Sequence, residues 1–270
     1  MKVAGYDISL INFGNFRLDG GAMFGSVPKN LWSKLIAVDE ENCIPLATRC
    51  LVLEGFEKKI LVDCGNGTKW DDKRKKIFNI QAKEPAQLGL DPDSVTDLLL
   101  THLHFDHCGG ISDSSGSRVY KNAKIWVQRD NLENAKNPTI RERASYLEEN
   151  YKVIESGDHS LIEGDKEIFP NIKVHVINGH TKGQQWIEIS DNNDTLLYPS
   201  DLMPTSRHVQ LPYHMGYDMC VDTLLREKMF FLDYAVNRNA LIIFQHDSDV
   251  ESGRIKKIDE DRFVLEYTKR

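Results

Sequence analysis

Apolar and polar residues alternate from Val3 to Phe13, the period of a half-buried strand. Asn15 to Gly25 follows, and its glycines mark a turn or a close backbone approach. Ser26 to Ser33, with Pro28 and Trp32, reads as a loop. Arg49–Leu53 and Lys59–Val62 form a strand pair turning at Glu54-Gly55-Phe56-Glu57, and Val95 to Leu100 is the apolar run of a buried strand. Further strands are expected over Ala123–Gln128, Lys166–Val176 (two, around Pro170-Asn171) and Leu241–Phe244. Gln185–Ile189 and Thr195–Tyr198 make a hairpin that turns at Asp191 to Asp194. Arg254 to Tyr267 closes the chain in alternation.

Helices are expected over Asp71–Ile80, Glu84–Leu90, Asn131–Lys136 and Ile140–Lys152. The last two are rich in charge, which suits a solvated cap or a dimer face, so a homodimer stays open. Cys220 to Val236 is the clearest amphipathic helix, with Leu224, Leu225, Met229, Leu232 and Val236 near helical spacing. No linker, repeat or low-complexity tract interrupts the order. The pattern predicts one α/β domain over residues 1–270, with two packed sheets flanked by helices.

Several predicted strands end in residues that bind metals. After Val95–Leu100 come His102, His104, Asp106 and His107, three imidazoles and a carboxylate within six residues. These donors suit zinc or another borderline metal, with manganese, iron and cobalt also accommodated. Gly109 and Gly110 then permit a tight turn. His180, Asp201 and His246 each follow another apolar strand, and strand ends on one rim can converge. His180 and His246 are therefore candidate ligands, and Asp201 a candidate bridging carboxylate. The loop after Asp201 carries His208 and His214 towards the same rim, each either facing substrate or merely exposed, and His208 joins Asp106 as a candidate catalytic residue. His175, inside a strand, reads as a paired structural residue; Cys108 reads as a small packed thiol, and His159 as solvated.

With 34 Lys and Arg against 41 Asp and Glu, the net charge is -7, which speaks against nucleic-acid or anionic-membrane partners. The five cysteines are scattered without a CxxC pair, so neither a disulfide framework nor a thiolate zinc site is expected. No signal-peptide core and no membrane-spanning apolar run is visible, and a cytoplasmic protein is expected.

The HxHxDH run at His102–His107, with His180, Asp201 and His246 following in order, resembles the metallo-β-lactamase superfamily. So does the early Asp63-x-Gly65. The resemblance implies an αββα sandwich with two divalent metal ions at one edge, most simply Zn2+. It implies one ion held by His102, His104 and His180, the other by Asp106, His107 and His246, and Asp201 between them. Asp63, with Asp247, would orient the ligand histidines, and Asp106 would pass a proton to the leaving group.

The stretch from Leu18 to Trp32 is similar to the opening of YtnP-type quorum-quenching N-acyl-homoserine lactonases, as are Asp201–Thr205, His208 and Tyr217-Asp218. That resemblance implies a small-molecule lactone or ester substrate, opened by a hydroxide generated at the metal pair. Other lactonases carry a Tyr three residues after the bridging acid, where this chain has Pro204. Met23, Phe24 and Trp32, with Leu211 and Tyr213 opposite, are the candidate walls for an acyl chain. A related branch cleaves organophosphate triesters, which keeps a phosphotriesterase or general arylesterase as the alternative. A nuclease would want a basic groove, and a glutathione-thioester hydrolase a longer C-terminal helical part, which this chain lacks after His246.

Overall fold

A computed structural model describes residues 1–266. The first sheet holds β1 (Lys2–Val3), β2 (Tyr6–Asp19), β3 (Cys43–Gly55), β4 (Lys58–Val62), β6 (Asp97–Leu99), β7 (Lys124–Gln128) and β8 (His159–Ile162) in that spatial order. The short β5 (Gln81–Ala82) pairs with β2. The second sheet runs β15 (Arg262–Glu266), β14 (Ser252–Asp259), β13 (Leu241–Ile243), β12 (Thr195–Tyr198), β11 (Gln184–Ser190), β10 (Ile172–Ile177) and β9 (Lys166–Phe169).

The facing sheets share one apolar layer. Leu51, Leu53, Ile60, Val62 and Leu99 of the first meet Val174, Ile187, Ile189, Leu196 and Ile243 of the second, all buried. Each such side chain contributes about 1.5–3 kcal/mol by leaving water. The outer face of the first sheet is covered by Leu103 from the loop after β6 and by Ile111, Leu132 and Ala135 from helical segments. The outer face of the second is covered by the helix Val221–Asn237, through Leu224, Phe231, Leu232 and Ala235. Helix, sheet, sheet, helix is the expected layering.

Strand direction places the site. β4 and β6 are parallel, so Asp63 and His102 leave the first sheet at one edge. β12 is parallel to β13 and antiparallel to β11, which is antiparallel to β10. The segments bearing His180, Asp201 and His246 therefore leave the second sheet at one edge. The two edges are stitched together: Ala47 N donates to His246 O (3.2 Å), Arg49 N to Gln245 O (3.0 Å) and Gln185 N to Thr101 O (3.0 Å).

Several predicted elements change. β2 continues through Asn15 to Asp19, where a turn was expected, with a bulge at Gly14. A Cβ on Gly14 would stand 2.1 Å from Gln81 O, so that close approach needs glycine. Asp19 then caps the helix Gly20–Phe24 by accepting from Ala22 N at 2.8 Å. The expected helix Glu84–Leu90 is a 3-10 turn, Pro85–Leu88, ended by left-handed Gly89. Ile140–Lys152 forms only short turns at Arg143–Ser145 and Glu148–Tyr151, because Glu142 and Tyr146 are drawn into the interior. The closing alternation holds over β14 and β15, while Tyr267 lies outside the described residues. Among the described residues no helix is long and apolar enough to cross a membrane.

The long helix buries one amine. Lys228 Nζ donates to the carbonyls of Gln210 (2.8 Å) and Tyr213. Burial drives its pKa down from 10.5 to about 7, against the pull of Asp218. The unfolded chain thus holds this proton to higher pH than the folded one, and stability rises with pH between those values. In urea unfolding from pH 7 to pH 9, the native protein should gain up to about 1.4 kcal/mol per pH unit over Lys228→Met. Parallel stability profiles would show that the amine does not titrate there.

Candidate metal centre

The first sheet delivers its candidate ligands through a strained exit. Asp63 follows β4 with φ +58° and accepts from Thr101 N and Thr101 Oγ1, both at 2.8 Å. Those bonds compensate a backbone conformation that non-glycine residues seldom adopt. His102 and His104 follow directly, and the helical turn Phe105–Cys108 presents Asp106 and His107. Gly109 and Gly110 then pass against the loop after Asp63, where a Cβ would stand 2.1 Å from Asn66 O or 2.3 Å from Cys64 O. Only glycine lets the turn close there. In the second sheet Ser200, at φ +51°, turns Asp201 inwards and meets Thr101 Oγ1 at 2.9 Å.

Seven buried side chains converge in two groups: His102, His104, His180 and Asp201, and Asp106, His107 and His246. Asp201 Oδ2 lies 3.8 Å from His102 Nε2, 3.2 Å from His180 Nε2 and 3.4 Å from His107 Nε2, and its Oδ1 lies 3.1 Å from His246 Nε2. One carboxylate therefore reaches both groups.

All five histidines are anchored through the ring nitrogen that faces away. His107 Nδ1 meets Asp63 Oδ2 (3.0 Å), His180 Nδ1 meets Asp218 Oδ1 (2.8 Å) and His246 Nδ1 meets Ala47 O (2.7 Å). His102 Nδ1 meets Thr101 Oγ1 (3.1 Å), and His104 Nε2 meets Glu142 Oε1 (3.2 Å). Such anchors fix ring orientation and leave the inner nitrogen free to ligate.

The inner atoms fit a cation. His102 Nε2 and Asp201 Oδ1 are buried without a hydrogen-bond partner, a costly state in the absence of a ligand. His180 Nε2 faces His104 Nδ1 at 3.1 Å, and His246 Nε2 faces His107 Nε2 at 3.2 Å. Two lone pairs at that separation need a proton or a metal between them. Charge follows the same logic. Burial disfavours the charged form of Asp201, but the imidazoles of His107 and His246 outweigh it and hold the carboxyl well below its usual range. Burial would lower His180, yet the hydrogen bonds and charges of Asp201 and Asp218 raise it to about 10. Burial pushes His102 well below its ordinary value, helped by the charges of His107 and His104. The acceptors that retain a proton on His180 are those that favour a divalent cation in its place.

A cavity of about 360 Å³ opens onto His104, Asp106, His180, Asp201 and His246. Its walls are apolar: Leu18, Met23, Leu46 and Met215, then Trp70, Phe78 and Phe105, with Ala144 and Leu147. Arg74, Arg143, Ser145 and Tyr217 complete the lining. The size suits a small organic ligand.

Of the expected wall, only Met23 lines this cavity. Phe24 and Trp32 stack on each other at 5.1 Å inside a separate core, both fully buried, so their rings are spent on packing. Tyr213 packs edge-on against Phe24 in that core, and Leu211 packs in the layer under the long helix. His208 is also displaced from its expected catalytic place. Its Nε2 meets Met23 O and its Nδ1 meets Thr205 Oγ1, both at 2.8 Å, and its ring stacks on Phe24. Burial, then the charge of Lys228, lower its pKa to about 3, so it is a neutral brace for the Met23 loop. Asp247 touches no ligand histidine: it accepts from Ser206, Asp249 and Val250 and caps a loop. Pro204 puts no donor into the cavity, and its carbonyl accepts from His246 N at 2.9 Å.

Glu142 escaped the sequence reading. It accepts from His104, Asn134 (3.0 Å), Tyr146 (3.3 Å) and Thr181. Burial would raise its pKa, but those bonds, led by His104, bring it down to about 2. His175 is paired as expected, with Glu188 at 2.7 Å, and Cys108 is a packed thiol outside both groups.

The sequence profile of the metallo-beta-lactamase superfamily matches residues 43–245, three-quarters of the chain. The chain belongs to the metallo-beta-lactamase superfamily. An N-acyl homoserine lactonase from Bacillus thuringiensis is 26% identical over 241 residues, 80% of this chain and 88% of its own length. A probable metal-dependent hydrolase from Staphylococcus aureus superimposes over the full length of both chains, with a TM-score of 0.89 and 30% identity. AidC, a dizinc quorum-quenching lactonase, superimposes over all of this chain and 97% of its own, with a TM-score of 0.81. At 18% identity that last likeness is one of fold. This metallo-beta-lactamase superfamily chain is a hydrolase, and the layered fold expected from sequence is present.

Proposed function

We propose that the chain is a single-domain, dinuclear hydrolase that opens N-acyl-homoserine lactones. The observation that carries this is Asp201, whose two oxygens face both groups of histidines. In this reading His102, His104 and His180 hold one divalent ion, Asp106, His107 and His246 the other, and Asp201 joins them. Zn2+ fits the nitrogen-rich donors best. When bound, the ions supply Lewis-acid polarisation of a carbonyl and lower the pKa of water from about 15.7 towards 7.

The protein's own groups do the rest. Asp63, Glu142 and Asp218 keep their histidines in the ligating tautomer. Asp106 faces the cavity, and in this reading it carries the proton lost by the attacking water to the leaving alkoxide. Met23, Trp70, Phe105 and Leu147 give an acyl arm an apolar surface and keep water from it. The aromatic wall also favours aryl esters and triesters, which makes an arylesterase or phosphotriesterase the second reading.

The test follows proton release from zinc- or manganese-loaded protein given acyl-homoserine lactones of several chain lengths, beside an aryl ester and a phosphotriester. The lactones should turn over fastest. Turnover confined to the aryl ester or triester would replace the lactonase reading and leave the site intact.

A further inference from the structure

The inference rests on that reading: beyond the ligand face, a further group of the cavity acts on the bond being broken. Acyl transfer develops negative charge on the carbonyl oxygen, and a fixed donor aimed there lowers the barrier. His104, Asp106, His180, Asp201 and His246 are committed to the cation face. The indole N–H of Trp70 is taken by Asn66 O at 3.0 Å, and the other remaining cavity-lining donors are Arg74, Arg143, Ser145 and Tyr217. Arg74 is drawn away by Asp71, 3.6 Å from its Nε, and Arg143 is exposed to solvent.

Tyr217 differs in how it is held. Its neighbour Gly216 donates to Ala22 O at 2.7 Å, and Asp218 Oδ2 accepts from Met215 N at 2.7 Å. Arg141 Nη2 clamps the carbonyls on either side, Gly216 O at 2.6 Å and Asp218 O at 2.9 Å. Asp218 in turn grips His180, so the phenol is carried on the loop that sets a ligand histidine. The ring is 39% exposed within the cavity, and its hydroxyl has no protein partner among the described residues. It stays protonated at working pH: burial first, then the carboxylates of Asp19 and Asp106, push it up to about 12. Tyr217 lines the same cavity as His104, Asp106 and His180.

We propose that Tyr217 is a catalytic residue: its hydroxyl, carried on a backbone that Ala22 and Arg141 hold in place, donates a hydrogen bond to the substrate carbonyl oxygen as that oxygen becomes anionic. No bond is made or broken at Tyr217 itself, and its proton stays on the phenol oxygen.

Tyr217→Phe keeps the ring and removes the donor. In metal-loaded protein, kcat on lactone should fall about 10²–10³-fold, with KM within about twofold and metal content unchanged. A second readout needs no turnover: calorimetric titration with a methylphosphonate monoester, a tetrahedral anion. Native protein should bind it at least tenfold more tightly than Tyr217→Phe. Equal binding by native protein and Tyr217→Phe overturns the proposal. So does a fall in kcat matched by a loss of metal, which marks a structural role. If native protein opens no lactone, the lactonase reading fails, and the phosphonate comparison still decides the role of Tyr217.

Discussion

Asp201→Ala is expected to lower bound metal and turnover together, turnover by more than about 100-fold. Loss of an outer hydrogen-bond partner to a ligand typically costs 10–100-fold, and in the proposed reading Asp201 is itself a ligand. Its two oxygens face nitrogens of His102, His107, His180 and His246, so its removal leaves the inner nitrogens of His102 and His180 with no carboxylate beside them among the described residues, and those of His107 and His246 with Asp106 alone. The backbone there does not depend on the carboxylate: Leu202 N donates to Pro199 O and Met203 N to Ser200 O. The variant should therefore fold, and metal analysis with kinetics on the same preparation checks the prediction. A metal-replete, active Asp201→Ala would contradict the joining role.

Glu142→Gln should weaken metal binding about 10–100-fold without changing the fold. Four donors converge on this carboxylate, from His104, Asn134, Tyr146 and Thr181. A carboxamide offers one oxygen and turns a second amino group towards them, so at least one buried donor loses its partner, at about 1–3 kcal/mol. The strain falls on His104, whose inner nitrogen would lose its fixed direction. With Glu142 held down to about 2, the carboxylate is ionised throughout the neutral range. The loss should thus be the same at pH 6 and pH 8, as a chelator competition would show. An unchanged affinity would mean that His104 needs no such brace.

How much of this was legible in the sequence follows from which interactions are local. His102 to His107 sit in one turn after one strand, so their convergence is written in spacing alone. His180, Asp201 and His246 were readable because each follows an apolar strand, and parallel strands end on the same side. Glu142 was not readable. It lies in a charge-rich stretch whose composition favours a solvated helix, and its burial comes from His104, 38 residues away. Phe24 and Trp32 misled for the opposite reason: large apolar residues beside a site suit a substrate wall and a core equally well. Tertiary packing sent them to the core, with Phe16, Ile44 and Leu46. Phe105, a true cavity wall, sat inside the motif between His104 and Asp106.

The most direct measurement is anomalous X-ray scattering from metal-loaded crystals. Two peaks should appear, one against His102, His104 and His180 and one against Asp106, His107 and His246, with Asp201 touching both. A single peak, or well-folded protein whose metal lies away from Asp201, would contradict the account.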